Sequence, residues 1–184
     1  WATFDDAYRT LGFKAMIDLS DRCTPGWKVY DGPYCPPAGW HHGGPAGLAQ
    51  NWTEAVDRYV AEVAKRKHVV GVFFGDEPVI SGVPQSEVCA LVNYTKHALG
   101  AAGRPDVFTY YNDAPAPLLE MQHGLCEGLD YISADIYLPA TQQQAGVGKG
   151  ALIAAEASAV KKIYDVVKQK LGPTQKLWVV PGLY

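Results

Sequence analysis

The chain has no excess of basic residues, no apolar stretch near the roughly 18 residues a membrane-spanning helix needs, and no phosphate loop, nucleophile elbow or metal-ligand spacing. The first absence, with a net charge of -3 and a pI near 5.9, argues against nucleic acid or anionic membrane as the main partner. The last leaves no cofactor implied. Charged residues are also sparse, 19% against 48% hydrophobic, which excludes disorder and gives 184 residues enough apolar material for a sizeable core. Neither an internal repeat nor a low-complexity tract interrupts the chain, so residues 1–184 read as one domain.

Asparagine is scarce as well. Of three in the chain, Asn51 and Asn93 sit in the sequons Asn51-Trp52-Thr53 and Asn93-Tyr94-Thr95. Together with four cysteines they predict a secreted or extracellular glycoprotein. Cys23 and Cys35 bracket the first part of a long connection, and a bridge between them is expected, worth about 3 kcal/mol in the chain-entropy model. Cys89 and Cys126 then pair with each other or with cysteines elsewhere in a longer polypeptide. Helix geometry puts Cys89 near the top of the sheet and Cys126 near its bottom, which keeps the second choice open beside the first.

What the chain does have is residues 69–78, VVGVFFGDEP, a short buried strand that ends in two carboxylates, Asp76 and Glu77. Gly75 loosens the backbone and Pro78 ends the pairing. Period-two alternation groups Val69, Gly71, Phe73, Gly75 and Glu77 on one face, and Val70, Val72, Phe74 and Asp76 on the other. The all-bulky second face suits helix packing, so Glu77 is expected to point inward, away from the helices.

Around this strand, helices and strands alternate. The pattern predicts a helix over 4–11 closed by Gly12, a strand over 13–20, and a helix over 51–68 with Asn51 and Glu54 as a capping box. Beyond residue 78 it predicts helices over 85–99, 115–123 and 151–171, interleaved with strands over 107–112, 130–137 and 176–184. Such alternation implies a parallel α/β sheet with right-handed crossovers. Two architectures fit: an open five-stranded doubly wound sheet, or a (β/α) barrel of TIM type. Polar groups at nearly every strand end, rather than at one switch point, favour the barrel. A barrel needs eight strands, so about three strand-helix units are expected outside this sequence.

Alternation in the other strands directs Asp18, Asp135, Tyr137, Trp178 and Tyr184 toward the same space as Glu77; in the third strand it is ambiguous, but Tyr110 and Asn112 share a face that ends near the same mouth. The connection over 21–50, rich in glycine, proline and aromatics, adds Trp40 and His41 as ligand contacts, since long irregular loops are commonly functional. His41 and His42 are neighbours whose side chains diverge, which suits loop residues better than zinc ligands. Carboxylates, amides and aromatic rings at one mouth suit carbohydrate: rings pack on sugar CH faces, polar groups bind hydroxyls, and a carboxylic acid protonates a glycosidic oxygen.

The strand ending Gly-Asp-Glu-Pro, the Asp-Ile-Tyr at 135–137 and the terminal WVVPGLY resemble the (β/α)8 glycoside hydrolase superfamily, in particular the clan of retaining enzymes whose fourth strand ends Asn-Glu-Pro. The resemblance implies a TIM barrel, with Glu77 at the position of the general acid/base and Asp76 in place of the usual asparagine. Asp76 and Asp135 are the accompanying carboxylates in that reading. The family's nucleophile, a glutamate ending the seventh strand, has no counterpart in Pro181-Gly182-Leu183-Tyr184. A catalytically silent, lectin-like or structural glycoprotein is therefore the alternative expectation.

Overall fold

The computed structural model describes residues 1–20, 27–31, 47–121, 124–136 and 149–178. Five helices and seven strands follow one another along them: α1 (Ala2–Leu11), β1 (Ala15–Asp18), β2 (Tyr30–Asp31), β3 (Gly47–Leu48), α2 (Trp52–Ala64), β4 (Val69–Asp76), α3 (Gln85–Ala101), β5 (Phe108–Asp113), α4 (Pro115–Glu120), β6 (Tyr131–Ala134), α5 (Lys149–Gln169) and β7 (Lys176–Leu177). The main sheet has the order β1-β4-β5-β6-β7, with every neighbouring pair parallel. That order follows the chain without reversal, so the described sheet lacks the switch point of a doubly wound fold. β2 and β3 form a separate antiparallel pair.

The helices form from the stripes the sequence shows. α2 buries Ala55, Val56, Tyr59, Val60 and Val63, and α3 buries Val88, Leu91, Val92, Thr95 and Leu99. Tyr164 and Val167 of α5 join the same core, with Val160, Ile163 and Leu171 against it. Gly12 closes α1 at φ 72°, its N–H donating to the Tyr8 carbonyl, as a left-handed C-cap does. Asn51 does stand at the N-cap of α2, but its side chain makes no capping bond, so the capping box is not formed.

One face of the sheet meets this core through Ile17, Leu19, Val72, Phe74, Tyr111, Ile132 and Ala134, all buried. The opposite face is aromatic. Phe73 stacks on Tyr110 at 5.1 Å between ring centroids, and Trp178 lies 5.1 Å from Tyr110, 5.7 Å from Tyr131 and 6.2 Å from Phe108. Gly71 makes this slab possible, because a Cβ there would sit 2.3 Å from the Phe108 ring. At the opposite end from the carboxylates, the buried Arg104 guanidinium donates to the carbonyls of Val63, Arg66 and Val69, tying the end of α2 to the start of β4.

Cys89 and Cys126 are bonded to each other, with Cα atoms 4.8 Å apart. The expectation that they lie at opposite ends fails because the segment before β6 runs alongside α3. The Gly128 N–H donates to Asn93 Oδ1 at 2.8 Å, and Asp130 meets Lys96 at 2.6 Å. Cys126 is thus still level with the first turns of α3. Cys23 and Cys35 lie outside the described residues.

Candidate functional site

β4 does not keep its alternation to the end. Phe73 is in register with Tyr110 but Asp76 with Asn112, so three steps on β4 match two on β5. This is a bulge, and Gly75 at φ 117° supplies the backbone conformation it needs. The consequence corrects the sequence reading at one position: Asp76, assigned by alternation to the helix-packed face, joins the aromatic face. Asn112 Nδ2 donates to Asp76 Oδ1 at 2.6 Å. The Phe74 carbonyl, which has no partner in the β5 register, accepts the buried Tyr30 hydroxyl at 2.7 Å.

From Asp76 a chain of hydrogen bonds crosses three strands. Ser133 Oγ donates to Asn112 Oδ1 at 2.7 Å, and Tyr110 Oη lies 2.7 Å from Ser133 Oγ. With the Asn112 amide turned to the carboxylate, the direction is fixed: the serine proton goes to asparagine, so tyrosine donates to serine. Tyr110, Asn112 and Ser133 are all buried, while Asp76 is half-buried at the open end of the chain. Burial raises the Tyr110 phenol above its ordinary pKa; the Ser133 bond opposes this, and the charges of Asp135 and Asp76 add to it. Both carboxylates therefore act on the same hydroxyl.

Glu77 follows the bulge at φ 53°, a left-handed conformation that a residue with a side chain adopts only when its surroundings enforce it. Its N–H donates to the Asn112 carbonyl at 2.8 Å, and its own carbonyl accepts the Ser81 N–H at 3.0 Å. The turn that follows is tied to a residue the sequence reading passes over, Asp113. This fully buried carboxylate accepts the N–H groups of Val79 at 2.9 Å, Ile80 at 3.3 Å and Ala114 at 2.9 Å. Burial pushes its pKa up to about 6; the three amides pull the other way, and the nearby Glu77 charge pushes it further up. Its only sequence signal is an acid at the end of a strand, one residue past the predicted boundary.

The structure places the remaining candidates as follows. Asp135 is half-buried just past β6, its N–H donating to the Asp113 carbonyl at 3.0 Å. Asp18 is paired in register with Phe73 on β1, and its Oδ1 accepts both the N–H and the hydroxyl of Ser20. Trp178 is 43% exposed at the edge of the aromatic slab, with its N–H bonded to the Ile132 carbonyl at 2.7 Å. Trp40, His41, Tyr137 and Tyr184 lie outside the described residues. Among the described residues no group of three or more His, Cys, Asp or Glu side chains is arranged to hold a metal ion.

Both sequon asparagines are exposed, but they differ. Asn93 has structural work: its Oδ1 holds Gly128, and the Thr95 hydroxyl is buried and donates to the Leu91 carbonyl. No helix of the described residues is long and apolar enough to cross a membrane.

No protein-family model matches the chain, and no match was found among curated proteins or among solved structures.

Proposed function

We propose that the protein binds carbohydrate at the C-terminal edge of its parallel sheet and hydrolyses glycosidic bonds there, with Glu77 as general acid/base and Asp76 and Asp135 as accompanying carboxylates. The observation that carries this reading is the convergence on one face of Asp76, Asn112, Ser133 and Tyr110 beside the exposed Trp178. Carboxylate and amide groups suit sugar hydroxyls, and an aromatic platform suits the CH face of a sugar ring. Glu77 stands next to this cluster in an enforced backbone conformation, a feature that concentrates at functional sites. The unreversed strand order supports reading the sheet as an arc of a TIM-type barrel whose interior is the aromatic face. The disulfide supports an oxidising, extracellular setting.

The test is release of reducing ends from a panel of polysaccharides by the wild type and by Glu77→Gln. Turnover falls by about 10²- to 10⁴-fold in the variant, the usual share of a general acid/base, while sugar binding persists. Equal turnover in both removes Glu77 from the role.

The bulge favours one second reading: it turns Asp76 onto the face shared with Tyr110 and Asn112, where the carboxylate is held by an amide. A lectin-like protein would keep that face for binding without hydrolysis. It would bind oligosaccharides and release no reducing ends.

A further inference from the structure

The buried carboxylate of Asp113 has no place in the chemistry above, yet it is the best-connected acid at the sheet's C-terminal edge. It lies at the end of β5 directly after Asn112, with no exposed surface. Two of its three donors, the Val79 and Ile80 amides, belong to the turn that follows Glu77 on the neighbouring strand. The third, Ala114, belongs to its own chain just before α4. Consecutive amides converging on one carboxylate fix the direction of a turn, and here the fixed turn starts at the single non-glycine residue of positive φ among the described residues. Among titratable groups, the charge of Glu77 acts on Asp113, and Asp113 in turn acts on Tyr111 of its own strand.

We propose that Asp113 is the positioning residue for Glu77: by gripping the amides of Val79 and Ile80 it holds the Glu77 turn in the conformation that presents Glu77 beside Asp76 and Asn112. This deepens the hydrolytic reading and rests on it for its functional consequence. The physical grip does not depend on that reading. An anionic acceptor makes stronger bonds to backbone amides than a neutral one, and it bridges two donors that a carboxamide oxygen serves less well. Without it, the turn after the left-handed Glu77 loses the two side-chain bonds that supplement the Asn112 and Ser81 backbone bonds.

The experiment uses the full chain with Asp113→Asn, of the same shape but neutral. Hydrogen exchange of the Val79 and Ile80 amides, resolved by NMR, should quicken at least tenfold, with amides inside β4 and β6 unchanged. Reducing-end release from whichever polysaccharide the wild type cleaves should show kcat reduced at least tenfold and KM within twofold. A second variant replaces the Val79 amide by an ester, deleting one donor with every side chain in place. It should show the same quickening at Ile80 and the same fall in kcat, and it decides the matter should Asp113→Asn not fold. Unchanged exchange at Ile80 in both variants overturns the proposal whatever the activity. Quickened exchange with unchanged kcat overturns it too. A wild type that cleaves nothing refutes hydrolysis, and the exchange rates then decide the grip on their own.

Discussion

Asp113 gives the molecule a pH dependence that follows from its burial. Its pKa rises from 3.8 to about 6 in the folded state because burial outweighs its three amide bonds. A carboxyl whose folded pKa is raised contributes stability that is fully present below about pH 4 and lost as pH climbs through 6. The size of that loss is on the order of 3 kcal/mol, from about two pK units at 1.36 kcal/mol each. Asp113→Asn does not titrate, so its stability relative to wild type should improve by that amount between pH 4 and pH 7. Urea unfolding at the two pH values checks it; stability curves that run parallel would contradict the shift. The same residue shows why a site is hard to read from alternation alone. Asp76 and Asp113 both carry the site's geometry, and both are assigned by backbone events, a bulge and a turn, that leave only a glycine or a proline as their mark in the sequence.

At the scale of elements, the helical stripes of α2, α3 and α5 and the cap at Gly12 were legible because each rests on local rules: apolar spacing and a left-handed closing residue. The parallel sheet was legible from alternation. The shared face of Tyr110 and Asn112 was legible because their stretch of β5 keeps a regular register with β6, and the reading failed at Asp76, where Gly75 admits an extra residue. The Cys89–Cys126 bond was left open because its partners meet through the path of the segment before β6, a tertiary fact with no local signature. That bond joins residues 37 apart, a closure worth about 4 kcal/mol in the chain-entropy model. The double variant Cys89→Ser with Cys126→Ser should lower unfolding free energy by up to that amount. Denaturant midpoints compare the two chains, and an unchanged midpoint would mean the bridge constrains little in the unfolded state.

The whole molecule is a sheet with two different faces. One is sealed by the helices through aliphatic and aromatic side chains, with Phe74, Tyr111 and Ile132 fully buried. The other collects the rings of Phe73, Phe108, Tyr110, Tyr131 and Trp178, and above them the polar chain from Tyr110 to Asp76. Strand order decides that these groups share one edge: in a sheet that follows the chain without reversal, successive strand ends lie side by side, so β4, β5 and β6 deliver their acids and amides together. The central claim is that this edge receives a sugar. The most direct measurement is an NMR titration of the isotope-labelled chain with a mixture of gluco-, manno-, xylo- and chito-oligosaccharides. The Trp178 indole N–H, the Asn112 side-chain amide and the Glu77 backbone amide should move together and saturate. Shifts confined to other surfaces, or none with any of the four sugars at millimolar concentration, would contradict it.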